Sequence, residues 1–94
     1  MSAKVGEERA LVKSTDMDEE KQHAAVDCTA AAIDRFDDTR EIAKYVKKEF
    51  DKRFGGTWHC IVGTDFGCEI SHKAGTFIYF VLRNHAILVF QAKK

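Results

Sequence analysis

The sequence predicts an α+β domain in which two helices pack on a small antiparallel sheet. Two consecutive segments carry apolar residues at helical spacing, and they lie between one short apolar segment and four later ones. Turn-forming residues separate the last four segments, as expected for antiparallel strands. The predicted order is therefore β-α-α-β-β-β-β, and 94 residues are enough for one domain.

The predicted domain covers residues 9–94, and a polar, charged tail at residues 1–8 is expected to be flexible. The apolar run RALVK, residues 9–13, suits a peripheral strand. The first helix is expected to begin near Thr15 or Asp16, because Asp16 and Glu19 have the spacing of a capping box. Its buried stripe is expected to contain Ala25, Val26, Thr29, Ala32, Ile33 and Phe36.

The second helix is expected to follow the polar residues 37–39, with Asp38 and Glu41 repeating the capping spacing. Gly55 and Gly56 end it, because glycine readily adopts the backbone conformation found after a helix. Its apolar stripe is Ile42, Ala43, Val46, Phe50 and Phe54. The strands after it are predicted at residues 58–62, 66–71, 76–82 and 85–91.

The last two of these strands are apolar on both faces. Successive strand residues point to opposite sides, so Phe77, Tyr79 and Val81 oppose Ile78, Phe80 and Leu82. Two helices cover only one face of a small sheet, and a large uncovered apolar face usually marks an interface. The pattern therefore predicts a homodimer in which a second copy packs on this face through a two-fold axis.

The composition argues against several classes of protein. The 15 basic and 15 acidic residues give a net charge of +0, without the basic excess typical of nucleic-acid binding. No apolar run reaches the length of a membrane span, and the N-terminus lacks the apolar core of a secretory signal. We therefore expect neither nucleic acid nor membrane as a partner. Three cysteines without pairing spacing indicate reduced thiols in a cytosolic protein.

His59 and Cys60 are adjacent in an apolar strand, which raises the question of catalysis. Neighbouring strand residues face opposite sides, so the two cannot form a nucleophile–base dyad. Cys28 and Cys60 are interpreted as small buried or half-buried apolar residues, whereas Cys68 lies on a candidate edge strand and is expected to be more exposed. His59 is either a satisfied polar group or a residue of the subunit interface. In the second case the dimer should weaken below the ordinary imidazole pKa of ~6.5.

A zinc site is the other chemistry that these residues suggest. His59, Cys60, Cys68 and His72 form a conceivable ligand set. On one strand, however, Cys68 and His72 would lie about 13 Å apart at ~3.3 Å per residue, too far for ligands of one ion. We expect no metal and no cofactor, unless the strand assignment is wrong.

Several motifs resemble the small, hub-type dynein light chains. They are KKEFDKRFGGTWHCIVG at residues 47–63, FG-x-x-x-S-H at 66–72, FIYF-x-L at 77–82 and AILVF at 86–90. The likeness extends over about residues 10–90. It implies a homodimer in which strand 66–71 crosses to the partner's sheet. It also implies two symmetric grooves, each of which binds an extended segment of another protein as an added strand.

The resemblance also implies site residues. The groove would comprise Asp65, Phe66, Gly67, Cys68, Glu69, Ile70, Ser71, His72, Phe77, Tyr79, Val81 and Ala86. Thr39 and Arg40 would receive the glutamine of a Thr-Gln-Thr-like motif through free amide donors at a helix N-terminus. The dimer contact would comprise Lys47, Lys48, His59, Ile61, Phe66 and Leu88. Family members commonly carry serine, an aromatic residue and tyrosine where Cys68, Glu69 and Val81 stand, so the preferred motif is expected to differ.

The expected function is a non-catalytic dimeric adaptor and dynein accessory light chain that promotes dimerisation of its partners, such as the dynein intermediate chain. The alternative is a dedicated structural subunit of a ciliary or flagellar dynein arm, and a remote alternative is a small thiol-redox protein. The expected location is the cytoplasm, on the microtubule cytoskeleton, or else the axoneme of a cilium or flagellum.

Overall fold

A computed structural model describes residues 10–64 and 71–92. The elements are β1 (Leu11–Thr15), α1 (Glu19–Arg35), α2 (Thr39–Phe54), β2 (His59–Gly63), β3 (Ile78–Leu82) and β4 (His85–Phe90). The α+β class, with two helices on an antiparallel sheet, is confirmed. Residues 66–70 of the predicted strand 66–71 lie outside the described residues. Its last residue, Ser71, is described and is not in a strand.

The described strands form one antiparallel sheet in the order β1-β3-β4-β2. β3 and β4 are joined by a two-residue turn in which Arg83 and Asn84 have φ angles of 50° and 68°. These positive values suit the tight turn of a hairpin. β2 pairs with β4 on one side only, so it is an edge strand of the described sheet.

One face of the sheet and the two helices enclose the core. Ile78, Phe80 and Leu82 alternate along β3 and are at most 1% exposed. They share the core with Ile42, Val46 and Phe50 of α2, which are fully buried. The alternation predicted for β3 is confirmed, because Tyr79 and Val81 face the other side and are only half-buried.

The start of α1 differs from the prediction. The helix begins at Glu19, and Asp18 is its N-cap residue, whose side chain accepts a hydrogen bond from the Lys21 backbone N–H at 2.9 Å. Thr15 belongs to β1. The capping role predicted for Asp16 is wrong, because its carboxylate binds two distant backbone N–H groups.

α2 begins and ends as predicted. The Asp38 side chain accepts a hydrogen bond from the Arg40 backbone N–H at 2.8 Å. Gly55 follows the last helical residue with φ of 78°, and its N–H donates to the Asp51 carbonyl at 3.0 Å.

Candidate functional site

Hydrogen bonds fix the beginning of β2 to the end of α2. The Trp58 backbone N–H donates to the Asp51 carboxylate at 2.7 Å, and the Trp58 indole N–H donates to the Gly55 carbonyl at 2.9 Å. The Trp58 ring packs edge-on against Phe50 at 4.9 Å between ring centroids. The position of β2 relative to α2 is therefore set by both polar and aromatic contacts.

His59 and Cys60 lie on opposite faces of β2. His59 is exposed and stacks on Phe90 of β4, with ring centroids 5.3 Å apart. Cys60 packs against the core. The separation predicted from strand geometry is confirmed, so the two side chains are not arranged as a dyad.

Burial suppresses the acidity of two thiols. It raises the pKa of Cys60 to about 12, with a smaller contribution from the nearby Cys28. It also raises the pKa of Cys28, to about 11. A reactive cysteine needs a thiolate, so both environments oppose nucleophilic or redox chemistry. Cys68 lies outside the described residues.

A concavity of about 450 Å³ runs between α2 and the free edge of β2. On the strand side, Ile61 is 47% exposed and adds an apolar side chain to the lining. The lining residues are Arg40, Ala43, Lys44, Lys47, Trp58, His59, Cys60, Ile61 and Phe90. We call this surface the edge concavity.

The structure separates the two lysines predicted for a dimer contact. Lys47 lines the edge concavity and forms an ion pair with Asp51. The Lys47 hydrogen bond, with smaller help from the Trp58 N–H and the charges of Lys47 and His59, lowers the pKa of Asp51 although burial opposes the shift. Lys48 lies outside the edge concavity, in another cleft with Phe36 and Tyr45.

The first turn of α2 offers fewer free donors than the sequence suggested. Thr39 and Arg40 are exposed. Asp38 accepts hydrogen bonds from both the backbone N–H and the guanidinium of Arg40, at 2.8 and 3.0 Å. A glutamine side chain would compete with Asp38 for the Arg40 amide.

The predicted groove and dimer residues on the sheet share one face. Strand register aligns Ile61, Leu88 and Tyr79 across β2, β4 and β3, and it aligns Val81 with Ala86. Ala86 and Leu88 are at most 1% exposed, so neighbouring atoms already cover them. Tyr79 and Val81 retain partial exposure, and so does Phe77, which precedes β3.

Only the end of the predicted groove segment is described. Ser71 is exposed, and His72 pairs with Ala92 in an isolated antiparallel bridge. The remaining members lie outside the described residues: Asp65, Phe66, Gly67, Cys68, Glu69 and Ile70.

Asp16 is a structural residue that the local sequence pattern did not reveal. Its carboxylate accepts hydrogen bonds from the backbone N–H groups of Gly75 and Phe77, each at 3.0 Å. His72 lies 3.9 Å from the same carboxylate and stacks on the Phe77 ring at 4.8 Å. Burial opposes ionisation of Asp16, but these hydrogen bonds and the charge of His72 outweigh it and lower the pKa. Asp16 therefore anchors the segment that follows residue 70.

Residues 10–64 and 71–92 contain no group of three His, Cys, Asp or Glu side chains placed to hold a metal ion. In the same ranges, no helix has the length and apolar character needed to cross a membrane.

Comparison with known proteins identifies the family of this chain. The family model described as dynein light chain type 1 matches residues 9–92. Among solved structures, the dynein light chain-like domain of Fasciola hepatica calcium binding protein FhCaBP2 is similar, with a TM-score of 0.80 and 17% identity. That match covers 95% of this chain and 96% of the domain. The DLC-like domain of CsTAL3, residues 83–177, gives a TM-score of 0.73 and 24% identity, covering 90% and 94%. At these identities the two solved structures establish a common fold.

Proposed function

Since this chain belongs to the dynein light chain type 1 family, we propose that it is a non-catalytic homodimeric adaptor. Each dimer binds two extended segments of partner proteins, such as the dynein intermediate chain, as added β-strands. Backbone hydrogen bonds supply affinity in this mode, and side-chain pockets supply selectivity. Two linked sites raise the overall affinity through effective concentration, which favours dimerisation of the partner.

The observation that carries the proposal is that β2, among the described strands, is paired on one side only. An edge strand presents unpaired backbone donors and acceptors to any strand that reaches it. Beside this edge lie the exposed Ile61 and the edge concavity. A strand from a second copy would cover Ile61 and pair with β2. In the family-based assignment that strand is residues 66–71, with Phe66 in the dimer contact.

The groove for the partner segment is then proposed along the swapped strand. Ser71 and His72 lie at its end, and the family resemblance places Asp65–Ile70 along it. Asp38 holds the Arg40 amide, so this groove is expected to select for side chains that tolerate or displace that contact. This feature favours a narrower set of partners than a broad hub has.

A narrow partner set also supports the second candidate, a dedicated subunit of a ciliary or flagellar dynein arm. The two candidates differ in partner number and in location. Affinity purification from native extract, followed by mapping of the bound segments, separates them. Many unrelated extended segments indicate a cytoplasmic adaptor, and one constitutive intermediate chain indicates an axonemal subunit.

The experiment that tests dimerisation and binding uses two matched surface changes. Ile61→Asp places a charge on the edge strand β2, whereas Val12→Asp places one on β1, where Val12 is 38% exposed and pairs in register with Phe80 on the opposite face of the sheet. Sedimentation should show a dimer for the wild type and Val12→Asp, and a monomer for Ile61→Asp. Calorimetry with an intermediate-chain peptide containing Thr-Gln-Thr should show binding to the dimers only. A wild-type monomer, or equal behaviour of both variants, would refute the proposal.

A further inference from the structure

A second cleft lies on the face of α2 next to the edge concavity. It occupies about 220 Å³ and lies where the end of α1 meets the first half of α2. Its lining residues are Phe36, Glu41, Lys44, Tyr45 and Lys48. We call this surface the Phe36–Tyr45 cleft. Lys44 also borders the edge concavity, but Lys48 does not.

Two half-buried aromatic rings form the apolar part of the cleft. Phe36 and Tyr45 have ring centroids 6.1 Å apart at an interplanar angle of 55°. The Arg35 guanidinium lies 5.7 Å from both centroids, within the range of a cation–π contact. The contact between the rings and the nearby guanidinium favour this arrangement of the two aromatic side chains.

The charges around the cleft are unbalanced. Among the described residues, Lys47, Lys52 and Arg40 each have a carboxylate within ion-pair distance. Within the same part of the chain, Lys44 and Lys48 have no such partner. Glu41 is the single acidic residue in the lining. Two nearby carboxylates are engaged elsewhere, because Asp34 pairs with Arg83 and Asp38 with Arg40.

We propose that the Phe36–Tyr45 cleft binds an acidic protein segment by enclosing one aromatic or leucine-sized side chain, while neighbouring carboxylates of that segment pair with Lys44 and Lys48. The positions of the charged residues also predict how the bound segment is oriented. Lys44 and Lys48 are one helical turn apart on the same side of α2, so carboxylates of the bound segment lie towards them and away from Glu41. Lys44 borders both surfaces, but the rest of this cleft is separate from the proposed strand-addition site and leaves the edge of β2 accessible.

The probe is a set of four fluorescein-labelled heptapeptides measured by fluorescence anisotropy. The first carries a central phenylalanine flanked by two acidic residues on each side. The others replace phenylalanine by serine, the acids by serine, or the acids by lysine. The first peptide should bind best, and its affinity should fall with added salt because exposed ion pairs are screened.

Lys48→Glu is the diagnostic variant, because Lys48 lines this cleft only. It should weaken binding of the acidic phenylalanine peptide by about fivefold or more, as expected when an exposed ion pair is replaced by repulsion. Lys13→Glu is the control with the same charge change, at an exposed residue of β1 that lines neither cleft. It should leave binding unchanged. Tyr45→Gln should also weaken binding, through loss of the ring.

Three results would overturn the inference. One is absence of binding to the acidic phenylalanine peptide, and another is equal weakening by Lys48→Glu and Lys13→Glu. The third is a monomer in sedimentation of Lys48→Glu, which would instead assign Lys48 to the dimer contact. Binding of the Thr-Gln-Thr peptide is measured on Tyr45→Gln, a residue outside the assigned groove and dimer contact, and should be unaffected. Failure of strand addition is thereby distinguished from failure of the cleft.

Discussion

The Asp51 carboxylate accepts the backbone N–H of Trp58 at 2.7 Å and pairs with Lys47 through its other oxygen. This contact joins the last turn of α2 to the residue before β2. It also places Lys47 beside the edge concavity. The Asp51 side chain therefore contributes to the geometry of the proposed dimer edge, together with the indole and ring contacts of Trp58.

We expect Asp51→Ala to reduce the free energy of unfolding by about 1–3 kcal/mol, the usual range for leaving a backbone donor without its partner. In the wild type, folding lowers the pKa of the Asp51 carboxyl. The stabilisation is therefore present above the unfolded value of 3.8 and is lost as the pH falls through the lower folded value. Urea unfolding at several pH values measures both effects. Glu49→Gln is the control, and equal stability of Asp51→Ala and wild type would contradict the prediction.

Asp16→Ala should loosen the turn that contains Gly75. The carboxylate is the acceptor for two backbone N–H groups, so its removal should cost about 1–3 kcal/mol. Hydrogen exchange of the Gly75 and Phe77 amides should accelerate, while exchange within β4 should change less. The lowered pKa again means that the stabilisation disappears in acid, below 3.8. Asp37→Ala is the matched control at an exposed site, and unchanged exchange in Asp16→Ala would exclude the anchoring role.

His59→Lys should convert the proposed dimer into a monomer at neutral pH. Lysine permanently carries the charge that an imidazole gains on protonation, and a symmetric interface would bring two such charges together. Lys47, Lys44 and Arg40 also line the edge concavity and would add repulsion, while Asp51 is already paired. Sedimentation gives the oligomeric state, with His23→Lys as a control on the exposed side of α1. A dimer of full strength in His59→Lys would show that this histidine lies outside the interface.

Cys28 and Cys60 should resist alkylation in the folded protein at pH 8. Burial keeps both thiols protonated, with pKa values raised to about 11 and about 12, and the thiolate is the reactive form. Mass spectrometry after iodoacetamide treatment should detect modification of these two residues only when urea is present. Rapid native labelling of Cys60 would revive the thiol-redox alternative. The Cys28→Ser and Cys60→Ser variants should retain partner binding.

Local chemistry made much of this protein predictable. The helix α2 begins after Asp38 and ends before Gly55, as expected, because capping residues and a positive φ act on adjacent backbone groups. The alternation along β3 follows from strand geometry, and so does the separation of His59 from Cys60. The family resemblance rested on motifs that local chemistry does not explain. It extended the prediction to a dimer and a peptide groove, which remain proposals because the structure describes a single chain.

The sequence by itself therefore determined the element types, the turns and the two faces of each strand, since these depend on residues close in the chain. Tertiary structure decided that β2 lies at an edge, because strand order depends on how distant segments pair. It also decided that Asp16, predicted to cap a helix, instead binds the backbone N–H groups of Gly75 and Phe77, which lie 59 and 61 residues away in the sequence. A carboxylate accepts hydrogen bonds from whichever unpaired backbone N–H groups folding brings near it. The residues next to Asp16 in the sequence do not determine which N–H groups those are.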